Sequence, residues 1–258
     1  MPADKLNITA IPAFDDNYIW LLSAGGKACA VVDPGDADPV LEVLEQHGLN
    51  LSYILLTHHH YDHVGGVDEL LERYGATVFG PADDRISVVH RVCREGDEIQ
   101  LADLNVNFKV LEVPAHTRSH IAFFAEDILF CGDTLFSLGC GRFFEGTATD
   151  MQKSLDKLAA LPTDTKVYCA HEYTQANCAF ALAADPANTA LQNRAVEIDR
   201  LRAMNKITLP SRLGDELATN PFLRTRSDSV VETARKFDPD ATPGIATMAI
   251  IRAWKDRF

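Results

Sequence analysis

Apolar and polar positions alternate in short blocks over the first 170 residues, and this pattern predicts a sheet-rich region. Two apolar runs, 17–22 and 28–32, flank Gly25-Gly26 and predict a hairpin. Further strand-like runs lie at 52–56, 76–79, 106–113, 120–125, 128–131 and 166–169. Helical patterns lie at 38–47, 67–74 and 151–161, with Asp150 as the expected cap of the last. Hairpins mixed with crossover helices favour an α/β or α+β fold over a uniform parallel sheet.

After His171 the strand-like runs stop and helical periodicity takes over. Helices are predicted at 174–184, 186–204, 213–219, 228–237 and 247–255. Asp185-Pro186 and Ser211 are expected helix starts, and Asn220-Pro221 is an expected stop. We therefore predict two domains, 1–173 and 174–258, the second of them all-helical.

The composition narrows the class of protein. Of the 258 residues, 47% are hydrophobic and 24% charged, and no apolar run approaches the length of a membrane span. Neither a membrane span nor a cleaved signal peptide is therefore expected. The six cysteines are scattered without a Cys-x-x-Cys pair, which is typical of reduced thiols in the cytosol. A net charge of −13 argues against a nucleic-acid partner.

The segment 57–63 reads Thr-His-His-His-Tyr-Asp-His and carries the strongest chemical signal in the chain. In an extended segment His58 and His60 point the same way, so they can bind one metal ion together. Asp62 and His63 follow as the chain turns towards Gly65-Gly66, and they suit a second ion or the other side of the first. The segment is internal, whereas a purification tag lies at a terminus. His59 should face away and pack or support its neighbours.

Further ligand types follow other predicted strands. His116, Asp133 and His171 each come just after an apolar run, so they are expected along the same sheet edge as the histidine segment. His116 is a better candidate than His120, and no metal role is expected for His47 or His90. Asp33, at a strand end before Pro-Gly, either orients a ligand histidine or simply forms a turn.

At this point the chain resembles a known family. The ligand pattern His58-x-His60-x-Asp62-His63, then His116, Asp133 and His171, is similar to that of the metallo-β-lactamase fold superfamily. Within it the chain resembles the hydroxyacylglutathione hydrolases (glyoxalase II) in segments spread over nearly its whole length. These segments are 11–18 (Ile-Pro-Ala-Phe-Asp-Asp-Asn-Tyr), 131–136, 139–147 (Gly-Cys-Gly-Arg-Phe-Phe-Glu-Gly-Thr), 171–174, 220–224 (Asn-Pro-Phe-Leu-Arg) and 252–256 (Arg-x-x-Lys-Asp).

The resemblance implies an αββα sandwich with a dimetal site at one edge, followed by a smaller helical domain that contributes to the substrate pocket. It assigns His58, His60 and His116 to one metal ion. It assigns Asp62, His63 and His171 to the other, with Asp133 bridging both. Zinc is the expected metal, with iron and manganese as alternatives, because His/Asp sites accept all three.

The resemblance also implies a substrate and its contacts. Arg142, Arg252 and Lys255 match positions that hold glutathione, and Tyr173 lies beside it. Phe144 stands where some members carry tyrosine, so a hydroxyl contact to glutathione is expected to be missing there. These cations would supply the local positive field that an acidic chain needs for an anionic substrate.

The implied reaction is hydrolysis of a 2-hydroxyacyl glutathione thioester such as S-D-lactoylglutathione, the second step of methylglyoxal detoxification. Two divalent ions can bridge a water and lower its pKa towards neutrality. The hydroxide would attack the thioester carbonyl, with Asp62 and Asp133 holding the metals. The thiolate can leave unprotonated, since the pKa of a thiol is about 8.5.

Two other functions stay open on the residues alone. The first is a glutathione persulfide dioxygenase of the same fold, which uses a single iron; the second-metal residues and the helical tail favour the hydrolase. The second is a non-catalytic metal-binding module, which would bind metal without thioesterase activity. A β-lactam hydrolase or RNase-like member fits the acidic charge and the proposed glutathione pocket less well. We expect a monomer.

Overall fold

A computed structural model describes residues 6–258 and divides them into two compact units by backbone contacts. The first unit comprises residues 6–112 and Ser119–Gly132, and the second comprises Val113–Arg118 and Asp133–Phe258. Residues 1–5, where the first predicted domain begins, lie outside the described residues. The predicted boundary near residue 173 falls inside the second unit and stays a prediction.

The first unit contains a six-stranded sheet whose spatial order follows the chain. Its strands are β1 (Asn7–Ala13), β2 (Asn17–Ser23), β3 (Ala28–Val32), β4 (Asn50–Leu55), β5 (Thr77–Pro81) and β6 (Arg91–Cys93). Strands β1, β2 and β3 pair antiparallel, whereas β4, β5 and β6 add to β3 in parallel, one after another. Two parallel neighbouring strands must be joined by a crossover connection. The helices α1 (Asp38–His47), α2 (Tyr61–Val64) and α3 (Val67–Tyr74) provide these connections after β3 and β4.

A second group of strands in the first unit forms an antiparallel meander. It consists of β7 (Glu98–Leu101), β8 (Val106–Glu112), β9 (Ile121–Ala125) and β10 (Ile128–Gly132), with a 3-10 turn at Ala102–Leu104. The rings of Phe108, Phe123 and Phe130 are fully buried on this meander. Phe108 lies 5.8 Å from Phe130 and 6.5 Å from Phe123 between ring centroids.

Burial along β2 shows that both faces of the first sheet are covered. Every residue from Asn17 to Leu22 is buried. Ile19 and Leu21 belong to one core cluster with Val40 of α1 and Leu70 of α3, so this face lies under helices. Trp20, between them, points to the opposite face. Burial on both faces is expected for a sheet between a helix layer and a second sheet.

The second unit is largely helical. Its elements are β11 (Leu135–Phe136), β12 (Gly139–Cys140), α4 (Ala148–Ala159), β13 (Lys166–Cys169), α5 (Thr174–Ala184), α6 (Thr189–Ala203), β14 (Ser211–Arg212), α7 (Leu213–Thr219), α8 (Asp228–Arg235) and α9 (Ile245–Lys255). β11 and β12 form a two-residue-loop hairpin, and β13 pairs antiparallel with β14. No helix among residues 6–258 is long and apolar enough to cross a membrane.

Three predicted helix starts were wrong, each for a local reason. α4 begins earlier, because Thr147 is its N-cap and Asp150 is the reciprocal partner at the third helical position. α6 begins after Asn188, whose side chain accepts from the Leu191 amide at 3.1 Å, rather than at Asp185-Pro186. Ser211 lies in the short strand β14, and α7 begins two residues later.

Candidate metal centre

The histidine segment lies where β4 ends and α2 begins, both in the first unit. Nε2 of His58 and Nδ1 of His60 are 3.0 Å apart, so the two rings present nitrogens to the same point, as the alternation predicts. Asp62 and His63 lie on the single turn α2, with Asp62 Oδ2 3.4 Å from His63 Nε2. His58 and His63 are fully buried.

A chain of hydrogen bonds determines which nitrogen of His58 is bare. The Thr57 hydroxyl donates to Asp33 Oδ2 at 2.7 Å, and it lies 3.0 Å from His58 Nδ1. Since the hydroxyl proton is used by Asp33, the Thr57 oxygen accepts from Nδ1–H of His58. Nε2 of His58 is therefore the unprotonated nitrogen, in the form that a metal ion requires.

Asp33 accepts a hydrogen bond from His63, a predicted ligand, so it does more than form a turn. Its Oδ2 accepts from His63 Nδ1 at 3.0 Å, while its Oδ1 accepts from the Thr57 amide at 2.8 Å. A carboxylate can only accept, so the proton of neutral His63 sits on Nδ1 and Nε2 is bare. The φ of Asp33 is +52°, in the left-handed region that aspartate tolerates better than most residues.

Two further residues fix Asp62, and the ligand pattern did not point to either. Asn17, at the start of β2, donates its amide to Asp62 Oδ2 at 3.0 Å. Gly35 lies directly under the Asp62 backbone, because a Cβ at residue 35 would come within 1.9 Å of the Asp62 carbonyl oxygen. Residue 35 can therefore only be glycine while the backbone of α2 keeps this position.

The second unit brings together the other three predicted ligands. Asp133 lies between two histidines, with His116 Nε2 3.4 Å from Oδ2 and His171 Nε2 3.4 Å from Oδ1. All three residues are buried, with exposed fractions of 4 to 7%. Each oxygen of the Asp133 carboxylate thus lies near a different imidazole, which is the arrangement expected of a bridging ligand.

The tautomer of His116 is also set by its surroundings. Nδ1 of His116 lies 3.1 Å from the carbonyl oxygen of Arg142, which can only accept, so Nδ1 carries the proton and Nε2 is bare. Gly141 makes this packing sterically feasible. A Cβ there would lie 2.0 Å from the Asp133 carbonyl oxygen and 3.1 Å from His116 Nδ1.

The spacing of these groups is compatible with metal ligation. The Asp62–His63, His116–Asp133 and His171–Asp133 distances are all 3.4 Å, longer than the 3.0 Å hydrogen bond from His63 to Asp33. Two ligands about 2.1 Å from a tetrahedral zinc ion lie about 3.4 Å from each other. Bare imidazole nitrogens and carboxylate oxygens at this spacing suit a divalent ion, and no cysteine takes part.

The predicted substrate cations lie together in the second unit. Arg252 is buried, and its Nη1 donates to the Cys140 carbonyl oxygen at 2.9 Å while its Nη2 donates to Asp256 Oδ1 at 3.0 Å. The same carboxylate oxygen lies 3.5 Å from Nε of Arg142, whose side chain is exposed. Arg142 and Arg252 therefore share one acidic partner.

Lys255 joins the cluster through Asn177 of α5. Its ammonium donates to Asn177 Oδ1 and lies 5.7 Å and 5.9 Å from the ring centroids of Phe180 and Phe222. Burial, with the Arg252 charge adding to it, lowers the pKa of Lys255 to about 8. The lysine is therefore charged at neutral pH but close to losing its proton.

Aromatic residues border the ligands. Tyr173 stacks on the ring of His171 with centroids 4.6 Å apart and planes at 5°, and Phe144 lies 5.2 Å from His116. Phe144 is 61% exposed, so its face is accessible to a substrate. His120 is fully buried, and its ring stacks on that of His58 with centroids 4.6 Å apart. Nδ1 of His59 lies 3.6 Å from Asp83 Oδ2.

The sequence matches two protein-family models. The metallo-beta-lactamase superfamily model matches residues 13–171, and the model of the hydroxyacylglutathione hydrolase C-terminus matches residues 172–258. The chain belongs to the hydroxyacylglutathione hydrolase family of the metallo-β-lactamase superfamily. The protein of this name from Aliivibrio salmonicida is 51% identical over 98% of this chain and 100% of its own length. The Pseudomonas aeruginosa protein is also 51% identical, over 98% of this chain and 100% of its own.

Solved structures show the same fold. The structure of ETHE1 from Myxococcus xanthus has a TM-score of 0.66 at 23% identity and covers 97% of this chain and 98% of its own. The di-iron-bound form of TTHA1623 has a TM-score of 0.53 at 28% identity, over 64% of this chain and 91% of its own. The predicted fold class, a metallo-β-lactamase sandwich followed by a helical region, is confirmed.

Proposed function

We propose that the seven predicted ligand residues bind two divalent metal ions. His58, His60 and His116 would hold one ion, and Asp62, His63 and His171 the other, with Asp133 bridging. The repeated 3.4 Å spacing between carboxylate and imidazole atoms carries this proposal, because two ligands of one tetrahedral ion lie about this far apart. The di-iron-bound relative, similar over 64% of this chain, supports a two-metal centre.

The reaction we propose is hydrolysis of S-(2-hydroxyacyl)glutathione, such as S-D-lactoylglutathione, to glutathione and a 2-hydroxy acid. Relatives at about half identity over the full length bear the name hydroxyacylglutathione hydrolase. This favours hydrolysis over persulfide oxidation. Glutathione carries two carboxylates, and the cluster of Arg142, Arg252 and Lys255 offers cations for them.

The residues of the chain have separate tasks in this reaction. Divalent ions, when bound, lower the pKa of a water and polarise the thioester carbonyl. Asp33 and the Arg142 carbonyl keep the protons of His63 and His116 on Nδ1, so that Nε2 stays free for ligation. The basic cluster holds the glutathione moiety and so fixes the acyl group relative to the ligands.

No protein acid is required for the leaving group. A thiol has a pKa of about 8.5, so glutathione can depart as the thiolate. Phe144 supplies an apolar ring in place of a hydroxyl, so it would pack against glutathione rather than donate to it. Tyr173, which stacks on His171, has an aromatic hydroxyl beside the proposed ligands.

Zinc is the metal we propose, with iron or manganese able to replace it at His/Asp sites. We place the protein in the cytosol as a monomer. Its six cysteines, all among the described residues, are free and buried, which suits a reducing compartment. The net charge of −13 disfavours nucleic acid as a partner.

The test compares two assays on the same preparation. Thiol release from S-D-lactoylglutathione and oxygen uptake with glutathione persulfide are measured for the wild type and for Asp133→Ala. We expect thiol release without oxygen uptake, lost in Asp133→Ala together with bound metal. Oxygen uptake with the persulfide, or metal binding without either activity, would contradict the proposal.

A further inference from the structure

The hairpin of β11 and β12 connects two parts of the proposed site. Asp133 lies two residues before β11, and Arg142 lies two residues after β12. At this open end, the Gly141 amide donates to the Thr134 carbonyl at 3.2 Å, and the Arg142 carbonyl accepts from His116. Any displacement of the hairpin would therefore move a metal ligand and a substrate contact together.

The closed end of the hairpin is an unfavourable turn. Its loop residues are Ser137 and Leu138, and Leu138 has a φ of +58°, a conformation that favours glycine. A left-handed conformation at such a residue persists only where surrounding structure holds it. The turn is also buried, so its backbone groups must find partners within the protein.

Three buried polar side chains supply those partners. Glu216 accepts from the Leu138 amide at 2.8 Å. Asn220 donates to the carbonyls of Phe136 and Gly139 at 3.1 and 3.0 Å, and Asn177 donates to the Ser137 carbonyl at 2.9 Å. Each of the four residues from 136 to 139 thus has a backbone group bound to one of these side chains.

The three side chains are themselves fixed. Glu216, Asn220 and Asn177 have exposed fractions of 1, 0 and 3%, and the Asn220 amide lies 3.1 Å from Glu216 Oε2. Glu216 lies on α7 and Asn220 is the C-cap residue of that helix, so the pair acts from one rigid element. Asn177 also accepts from Lys255, which links the turn to the basic cluster.

The three side chains fix the orientation of the turn. They are costly to bury, and their hydrogen bonds determine direction as well as position. Burial raises the pKa of Glu216, which shows the cost of holding a carboxyl group there.

From these contacts we infer that Glu216 and Asn220 are positioning residues for catalysis, acting through the β11–β12 hairpin on Asp133 and Arg142. This inference rests on the proposed thioesterase function. Helix α7 contributes no ligand in the family pattern, yet through the hairpin it would influence both metal retention and substrate binding. Loss of the hydrogen bonds from Glu216 and Asn220 to the hairpin should therefore affect both properties at once.

The test uses Glu216→Ala and its conservative partner Glu216→Gln. Glutamine keeps one acceptor oxygen, which can accept from the Leu138 and Asn220 amides as Glu216 Oε2 does in the wild type. Alanine keeps neither hydrogen bond. Val230→Ala serves as the matched control, because Val230 is fully buried on α8 of the same unit.

Three readouts are taken at a temperature well below the Tm of every variant. They are metal retained per chain against graded chelator, kcat and KM for S-D-lactoylglutathione, and hydrogen exchange of the Leu138 amide. We expect Glu216→Ala to lower kcat/KM and metal affinity, each by about 10- to 100-fold. Leu138 exchange should accelerate, and Glu216→Gln should recover most of each property.

Val230→Ala should lower Tm and leave the other readouts near wild type. If Glu216→Ala behaves like Val230→Ala, or if Glu216→Gln is as impaired as alanine, the positioning role is wrong. Chelator resistance and amide exchange do not depend on turnover. A wild type without thioesterase activity would therefore overturn the proposed function, while these two readouts would still decide the inference.

Discussion

Asp33 and His63 form a hydrogen bond of 3.0 Å between Oδ2 and Nδ1, and this contact sets the proton position on the ring. Asp62, by contrast, lies 3.4 Å from the opposite nitrogen of the same ring. The two carboxylates therefore have different tasks: Asp33 orients the imidazole, and Asp62 lies on the side of the ring that we propose faces the metal.

The substitution Asp33→Asn tests this division. Asparagine tolerates the φ of +52° at this position, so the backbone should be retained. An amide NH2 facing His63 would favour the tautomer with the proton on Nε2, which cannot ligate. We expect metal affinity to fall about 10- to 100-fold with little change in Tm of the metal-free protein.

Metal retention against a chelator measures this effect, and Asp36→Asn is the control. Asp36 lies three residues further on and accepts from the Asp38 amide within its own turn. Equal metal retention in Asp33→Asn and the wild type would show that Asp33 is only a turn residue.

Gly141→Ala should disturb the ligands through the backbone. The added Cβ would meet the Asp133 carbonyl oxygen at 2.0 Å, so the hairpin must shift or open. We expect unfolding free energy to fall by about 1–3 kcal/mol and metal retention to fall with it. Gly26→Ala, where nothing lies within 4 Å of the new Cβ, should change stability by less than about 0.5 kcal/mol. Denaturant titration of both variants distinguishes a steric effect from a general cost of replacing glycine.

Arg252→Ala should chiefly weaken binding of the glutathione moiety. A hydrogen bond to a charged group contributes about 1.5–3 kcal/mol, so KM should rise about 10- to 100-fold. The value of kcat should stay within a few-fold, because Arg252 contacts no ligand residue among its described partners. Arg226→Ala, which removes an exposed arginine paired with Asp156, is the control. An unchanged KM in Arg252→Ala would contradict the proposed pocket.

The pKa of Lys255 predicts a pH dependence of KM. Its value of about 8 means that the free enzyme loses this positive charge as pH rises from 7 to 9. KM should therefore increase over this range, because the substrate carboxylate loses an attractive partner. Lys255→Met should have a high KM at every pH. Because this variant lacks the titrating lysine, any pH dependence that remains in its KM comes from other groups, including the substrate itself. If the wild type and Lys255→Met vary in parallel, Lys255 does not bind the substrate in its charged form.

Local sequence signals predicted much of the fold. The bounds of β3, β13, α1 and α5 agree with the apolar runs and helix signals that predicted them. β6 and β7 were missed because they are short and half exposed, and so carry no continuous apolar run. β14 was missed because its two residues form a strand only by pairing with β13, a contact made some forty residues away in sequence.

The proposed ligand residues stand out in the sequence, whereas the residues that support them do not. Four ligand-competent residues within six positions rarely coincide by chance, and seven in all matched one family pattern. Asn17, Thr57 and Glu216 are common residue types whose roles depend on partners distant in sequence or on a tautomer. Only the folded chain shows that Asn17 reaches Asp62 or that Glu216 reaches Leu138.

The most direct measurement of the central claim is a metal titration of the metal-free protein. Thiol release from S-D-lactoylglutathione is followed as zinc is added in fractions of one equivalent per chain. The two-metal account predicts that activity rises until two equivalents are bound and is constant beyond that point. A plateau at one equivalent, or full zinc binding without thiol release, would contradict it.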